Sequence, residues 1–351
     1  MTKNSIDYNN PVWLLIDKLS TKAGITEIAI NGPDDVYIEK EGQFVQIDVK
    51  ITQKSIDQFV IDVAAFNHKD IDGNSPLFNG SLPDGSRVNI ITSPVRLEGP
   101  AITIRKFLKS IQTFDSRKGI FGLSPDWIEF LKAAMKAKLN IIVSGGTGVG
   151  KTTFLNLLLQ ETEKNERKII IEDTRELNVV LPNTIRMESA LLSSKKPISI
   201  RDLVKNSLRM RPDRIIIGEI RGEEIFDLLQ AMNTGHDGCL ATIHANTPRE
   251  CVSRMETLYF LSGYEVPYSV IRHQIGRSID LVIQLKRNRE GMRVVSHITE
   301  VTEMSGEQVL MQDIGVLSKD LNYIVSTNLI PKKIDILEKN GFNRKLFQSS
   351  F

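Results

Sequence analysis

A largely parallel α/β domain preceded by a smaller α+β domain is the fold class the sequence predicts, on three observations. KIIIED, RIIIGEI and CLATIH are short β-rich apolar runs that end in polar residues and are separated by helical patterns. Runs apolar on both faces belong to a parallel sheet covered on two sides. Upstream, from Ile25 to Val49, the runs ITEIAIN, VYIEK and FVQIDV are broken by turn residues such as Asn31-Gly32-Pro33, a pattern of antiparallel strands. The chain has 351 residues, too many for one typical domain and enough for two that each bury a core.

In chain order, residues 1–106 are assigned to the α+β domain. After its first strands, Ile56, Phe59, Val60 and Val63 fall at helical spacing, so a helix should pack on the sheet. Arg87 to Thr92 (RVNIIT) and Ala101 to Lys106 (AITIRK) read as two further strands, the first preceded by the turn signal Pro83-Asp84-Gly85. Residues 107–123 have no sustained period and are read as the interdomain linker. The α/β domain then occupies residues 124–351. Ser124-Pro125-Asp126 starts a helix carried by Ile128, Leu131 and Met135 into the strand NIIVS. Ile225, Leu228, Leu229 and Met232 mark another helix between strand runs. After Val301 the pattern is mixed, with one strand expected at Gln308 to Met311.

Composition narrows the function classes. A net charge of +2 with 25% charged residues carries no overall signature of nucleic-acid binding. The basic stretch Lys286-Arg287-Asn288-Arg289 reads as a solvated loop. No apolar run approaches the roughly eighteen residues that cross a bilayer, and MTKNSIDYNN lacks a signal-peptide plan. A cytosolic protein is expected. Two cysteines, Cys239 and Cys251, are too few for a disulfide framework, and their spacing with His236 and His244 matches no zinc signature.

The chemistry starts at Ile141 to Thr152, IIVSGGTGVGKT. Gly145, four residues, then Gly150-Lys151-Thr152, between a strand and the helical run FLNLLL, is the P-loop pattern. Backbone N–H groups of Gly145, Gly146, Thr147, Gly148, Val149 and Gly150, continuing through Lys151, Thr152 and Thr153, would surround a polyphosphate at a helix N-terminus. Lys151 would meet the β- and γ-phosphates, and the Thr152 hydroxyl would ligate Mg²⁺. ATP and Mg²⁺ are therefore the expected ligands of a RecA-like domain.

In an open α/β sheet the ligand sits beyond the carboxyl ends of the strands. Three clusters terminate strand runs. Ile169 to Glu172 is followed by Asp173, Thr174, Arg175 and Glu176; Ile215-Ile216-Ile217 ends in Gly218-Glu219; Leu240 to Ile243 ends in His244, with His236 just upstream. Glu219 is the first candidate to orient the attacking water, with an ion pair to Arg221 or Arg214 as the plain alternative. Among Glu172, Asp173 and Glu176, one carboxylate could hold Mg²⁺ through water while another pairs with Arg175. A neutral histidine at a strand end can donate to a γ-phosphate oxygen, although His236 also fits the turn Thr234 to Gly238. In the first domain, Arg105 lies on the face of AITIRK opposite Ile102 and Ile104 and so points outward, and Arg87 starts a strand just after a turn. Singly, each reads as a surface ion pair before it reads as an arginine finger.

As a set, these clusters resemble the secretion and type IV pilus traffic ATPases. GGTGVGKT at Gly145 to Thr152, IIEDTREL at Ile170 to Leu177, RMRPDRIIIGEIRGEE at Arg209 to Glu224 and TGHDGCLATIHANTP at Thr234 to Pro248 are similar to that family's Walker A, Asp box, Walker B and His box. ITEIAINGPDDVYIE, LPDGSRVNI and GPAITIRKF resemble its CpaF-like branch, which serves tight-adherence (Flp) pili. The resemblance runs from about Ile25 to the C-terminus. It implies a homo-hexameric ring with ATP at a cleft between domains and subunits, Glu219 as catalytic glutamate, His244 as the His-box histidine, and Arg87 and Arg105 approaching the phosphates. It further implies docking on an inner-membrane platform protein, hence a peripheral position at the cytoplasmic face of the inner membrane; with no obvious basic or aromatic stripe in the sequence, direct nucleic-acid contact is not expected. A nucleic-acid translocase and a slow nucleotide-operated switch are the rival readings. Gly276-Arg277, where small residues are usual, and Cys239, where serine is common, depart from the family pattern.

Overall fold

The computed structural model describes residues 6–40, 42–106, 113–116, 118–191, 197–306, 308–320 and 322–348. The chain divides into two compact units. One is Met1–Lys109 with Thr174–Glu176 and Glu188–Ser199; the other is Ser110–Asp173, Leu177–Met187 and Ile200–Phe351.

In the first unit the elements run α1 (Pro11–Ser20), β1 (Ile25–Gly32), β2 (Asp35–Lys40), β3 (Gln43–Gln46), α2 (Gln53–Phe66), β4 (Leu77–Ser81), β5 (Arg87–Ile91) and β6 (Ala101–Arg105). Its six-stranded sheet has the order β3-β2-β1-β6-β5-β4, with antiparallel neighbours throughout. Ile28, Ile30, Val88, Ile90, Ile102 and Ile104 turn inward and share one core with Ile56, Phe59 and Val63 of α2 and Val12 and Ile16 of α1. This is the half-buried antiparallel sheet that the alternation predicts. Helix α1 escapes the periodicity reading, yet its start is written in Asn10-Pro11: the Asn10 side chain accepts from the Val12 amide at 2.8 Å. Trp13 Nε1 donates to Asp62 Oδ2 at 3.0 Å and ties α1 to α2. Arg87 and Arg105 are register partners across β5 and β6. Both therefore stand on the sheet face opposite the core, as the outward position read for Arg105 requires.

In the second unit follow α3 (Pro125–Lys136), β7 (Ile141–Gly145), α4 (Lys151–Gln160), β8 (Lys168–Glu172), β9 (Thr184–Glu188), α5 (Ile200–Ser207), β10 (Arg214–Ile220), α6 (Glu224–Asn233), β11 (Leu240–Ile243), α7 (Pro248–Phe260), α8 (Tyr268–Ser278), β12 (Leu281–Arg287), β13 (Arg293–Ser305), β14 (Gln308–Leu317), β15 (Ile324–Ser326) and α9 (Ile334–Lys339). The nine-stranded sheet has the order β15-β14-β13-β12-β7-β11-β10-β8-β9. Strands β12, β7, β11, β10 and β8 are parallel, whereas β12 to β15 form an antiparallel flank. Alternate residues feed two cores. Ile141, Val143, Ile170, Ile216 and Leu240 meet Phe130 and Phe154 on one face, and Ile142, Ile169, Ile171, Ile215 and Ala241 meet Leu228, Met255 and Ile275 on the other. The RecA-like α/β unit and the smaller α+β unit are thus the architecture of this chain.

In the segment read as a linker, the described residues pack into the second unit. Residues 107–112 and 117 lie outside the described residues. Phe114–Ser116 and Ile120–Gly122 are 3-10 turns, and Phe114, Ile120, Phe121 and Leu123 are buried in the second unit's core. Phe114 and Phe121 meet the Phe154 ring of α4 edge-on, at centroid distances of 6.1 and 5.1 Å. Turns this short have no period to read, which is why the aromatics passed for linker residues.

One polar cluster beneath the parallel sheet carries stability. The Arg214 guanidinium, 1% exposed, donates to Glu166 Oε2 at 2.6 Å, to Glu166 Oε1 at 3.1 Å and to the Gly238 carbonyl at 3.2 Å. Removing one partner of a buried pair leaves a charge without compensation. Glu166→Ala is expected to destabilise the second unit by about 3 kcal/mol, read as a lowered urea midpoint.

Candidate active site

Strands β7, β10 and β11 end at the same edge of the sheet, because Ile243 pairs with Ser144 and Ile220 with Ile243. That edge collects Lys151, Glu219 and His244. Beyond β7 the chain must turn without side chains. A Cβ on Gly145 would lie 2.6 Å from Val149 Cγ2 and 2.9 Å from the Leu285 carbonyl oxygen; one on Gly150, at φ +96°, would lie 3.0 Å from Arg293 Cδ and 3.1 Å from Phe121 Cζ. Space requires glycine at 145, and backbone conformation requires it at 150. Gly150 is the N-cap of α4, so Lys151, Thr152 and Thr153 form its first turn. Gly146, Thr147 and Gly148 lie at the loop surface, and Val149 is buried beneath it.

Lys151 Nζ donates to the carbonyls of Gly145 at 3.0 Å and Gly146 at 2.9 Å. It also lies 3.1 Å from His244 Nε2 and 3.4 Å from Nδ1. His244 Nε2 is in turn 2.8 Å from Glu219 Oε1. With its proton on Nε2, the neutral ring would donate to Glu219 and accept from Lys151 through Nδ1. Burial, followed by the Lys151 charge, pushes the His244 ring below its ordinary value of 6.5, against the pull of Glu219. The ring is therefore neutral at physiological pH.

Glu219 owes its aim to an irregularity in β10. The β10–β11 ladder shifts register between Ile217 and Ile220, a bulge of the kind that re-aims a side chain beside a site. Gly218 makes room there, since a Cβ would meet Glu172 Cγ at 3.0 Å, and its carbonyl accepts from Thr242 Oγ1 at 2.7 Å. Arg221 Nε donates to Glu219 Oε2 at 2.7 Å and Arg221 Nη1 lies 3.8 Å from Asp173 Oδ2. Lys151, His244, Glu219, Arg221 and Asp173 thus form one line of charges and hydrogen bonds across four strand ends, those of β7, β11, β10 and β8.

The other expected residues sit apart from that line. Glu172, 2% exposed, accepts from the Leu177 amide at 2.8 Å and from Arg186 Nη2 at 3.0 Å, so its carboxylate is held from β9 and from the chain just after β8. Nothing in the weakly patterned run Thr184 to Glu188 pointed to Arg186. In the first unit Glu176 is ion-paired with Arg87, and Arg105 Nε lies 3.6 Å from Glu27 Oε1. His236 corrects the sequence reading. It precedes Leu240, which pairs with Ile141 at the start of β7, and so occupies the opposite end of the sheet from Lys151. Its carbonyl accepts from Cys239 Sγ at 3.1 Å, as the turn alternative requires. Both cysteines are buried, with thiols pushed up to about 12 by burial. Among the described residues no group of three or more His, Cys, Asp or Glu side chains could hold a metal ion, and no helix is long and apolar enough to cross a membrane.

A pH effect follows from His244. Its folded value is depressed, so between that value and 6.5 the unfolded chain binds more protons, and stability falls as pH drops below 6.5. His244→Gln should flatten this part of the urea-midpoint profile relative to wild type, while the burial-lowered His297 contributes equally to both proteins. An unchanged slope would assign the effect elsewhere.

Comparison with known proteins places this geometry. Residues 14–316 match the family described as type II/IV secretion system protein. Conjugal transfer protein TrbB of Rhizobium radiobacter is 31% identical over 282 residues, spanning 79% of this chain and 84% of its own. Type IV secretion system protein PtlH of Bordetella pertussis is 31% identical over 314 residues, spanning 82% and 92%. In fold, the ATPase DotB of Legionella pneumophila is similar with a TM-score of 0.61 at 18% identity, over 96% of this chain and 88% of that one. With a family model that covers most of its length, the chain belongs to the type II/IV secretion system protein family.

Proposed function

We propose that the chain is an ATPase that converts Mg-ATP hydrolysis into motion of its two units, as one subunit of a homo-hexameric motor. The observation that carries this reading is the convergence of Lys151, His244 and Glu219 at the end of three parallel strands. Lys151 neutralises β- and γ-phosphate charge, and neutral His244 turns its one N–H from Glu219 to a γ-phosphate oxygen. Glu219 orients a water for in-line attack on the γ-phosphorus and accepts its proton as the bond to the β–γ bridging oxygen breaks and ADP leaves. The site suits the ion that accompanies ATP: Thr152 offers a hydroxyl in the first turn of α4 and Glu172 a carboxylate at the end of β8, hard oxygens of the kind Mg²⁺ takes beside phosphate. Because the Glu172 oxygens already accept from Leu177 and Arg186, its part is through a water. Bound there, Mg²⁺ would spread the charge of the transferring phosphoryl group.

The motor would dock on an inner-membrane platform protein and serve a pilus or a secretion machine. The first-domain runs ITEIAINGPDDVYIE, LPDGSRVNI and GPAITIRKF support the CpaF-like branch, and relatives named for type IV secretion and conjugal transfer support a secretion role. The second of those names also keeps a nucleic-acid translocase in view, for which salt-sensitive, DNA-stimulated turnover would be the sign. In this reading Arg87 and Arg105 act on the phosphates across subunits. Subunits carrying Arg105→Ala, mixed with subunits carrying Glu219→Gln, should regain part of the activity that each lacks alone. No regain at any ratio would remove Arg105 from a role in trans.

A further inference from the structure

Beside the phosphate loop stands a residue that sequence reasoning left in a solvated basic stretch. Leu285 of β12 pairs in parallel with Gly145, so β12 continues past the strand ends alongside the loop, and Arg287 is its last residue. Arg287 Nη2 donates to the Gly148 carbonyl at 3.1 Å, and Nη1 to the Gly291 carbonyl at 3.0 Å. One guanidinium fork thus joins the loop to the β12–β13 turn. That turn is a firm anchor. Asn288, buried, accepts through Oδ1 from the amides of Glu290 at 3.0 Å and Met292 at 2.8 Å, and its Nδ2 donates to Asn322 Oδ1 at 2.9 Å. Across the ladder Arg293 is the register partner of Arg287, and its side chain packs against Gly150.

We infer that Arg287 is a positioning residue for the nucleotide: it clamps the outer side of the loop by the Gly148 carbonyl and so sets how firmly the loop amides hold the phosphates. Gly148 lies at φ +71°, a left-handed conformation that a single glycine does not hold by itself. Lys151 fastens the loop by the carbonyls of Gly145 and Gly146, and Arg287 fastens it by the third. A fork with two donors spans the loop and turn carbonyls at once, which a lysine ammonium on a flexible stem does poorly. Its charge also favours a polyanion without touching it. The inference rests on the reading of Gly145 to Thr152 as a phosphate cradle and adds a residue to it that acts through the loop.

The test uses the full chain as wild type, Arg287→Ala and Arg287→Lys, with Kd for ADP, KM and kcat for Mg-ATP, and the thermal midpoint of each. Arg287→Ala should raise KM and the ADP Kd roughly tenfold with kcat within about threefold of wild type. Arg287→Lys should fall between the two. If wild type binds ADP and Arg287→Ala binds it equally well, the inference is wrong and the cradle stands. A fall in kcat and thermal midpoint together, with KM unmoved, would also overturn it, as a structural role. Wild type that binds no ADP would overturn the cradle, and this inference with it.

Discussion

Lys151→Ala is expected to lower Mg-ATP turnover by about a thousandfold or more, the scale seen when a preorganised charge is removed from a developing transition state. Lys151 is 8% exposed, and its ammonium is held by two loop carbonyls and the His244 ring. The ammonium already stands beside the phosphate loop, and its engaged N–H groups must turn in part toward the β–γ bridge as phosphate arrives. Alanine leaves no cation there. ATP affinity should fall with turnover, since the lysine meets ground-state phosphates too. The change has a local signature as well. His244 loses a charge that depresses its proton affinity, so its titration in the variant, followed by NMR, should move upward. A His244 titration that stays where it is would mean that Lys151 does not act on the ring.

Glu219→Gln is expected to leave ATP bound and slow its hydrolysis by about 10²–10⁴-fold, the range for loss of a positioned general base. Glutamine keeps the shape of the side chain, but its single carbonyl oxygen can replace only one of the two carboxylate oxygens that His244 and Arg221 contact at 2.8 and 2.7 Å. It cannot take the proton of the attacking water. The two substitutions therefore separate by kind: Lys151→Ala should weaken ATP binding and turnover together, and Glu219→Gln should lower kcat with little change in the affinity for ATP. Loss of ATP binding in Glu219→Gln would make the carboxylate a structural residue of the strand end.

Much of this site was legible because its residues follow the densest signals in the chain. The runs at Ile141, Ile169, Ile215 and Leu240 are buried on both faces, and only a central parallel strand needs that. Their polar terminators then had to fall at one edge, which located Lys151, Glu219 and His244 before any coordinates. His236 failed for a related reason. Nearness in sequence to a strand does not say which end of it a residue occupies, and His236 lies before β11 while His244 lies after it. Contacts from the antiparallel flank were not legible. Arg287 reaches Gly148 across 139 positions of sequence, and nothing in a basic stretch says that it runs beside a loop. Arg186 was hidden likewise, in a strand of half-buried residues whose alternation is too weak to read. The second half of the presumed linker was missed because Phe114 and Phe121 bury themselves from turns and not from a periodic element.

The central claim is that the Lys151, His244 and Glu219 line hydrolyses ATP. Phosphate release at saturating Mg-ATP, measured on the wild-type chain beside Glu219→Gln, tests it most directly. The expected result is steady release by the wild type and, from a variant that still binds ATP, release at least about a hundredfold slower. Equal rates from the two proteins, or no release from a wild-type chain that binds ATP, would contradict it.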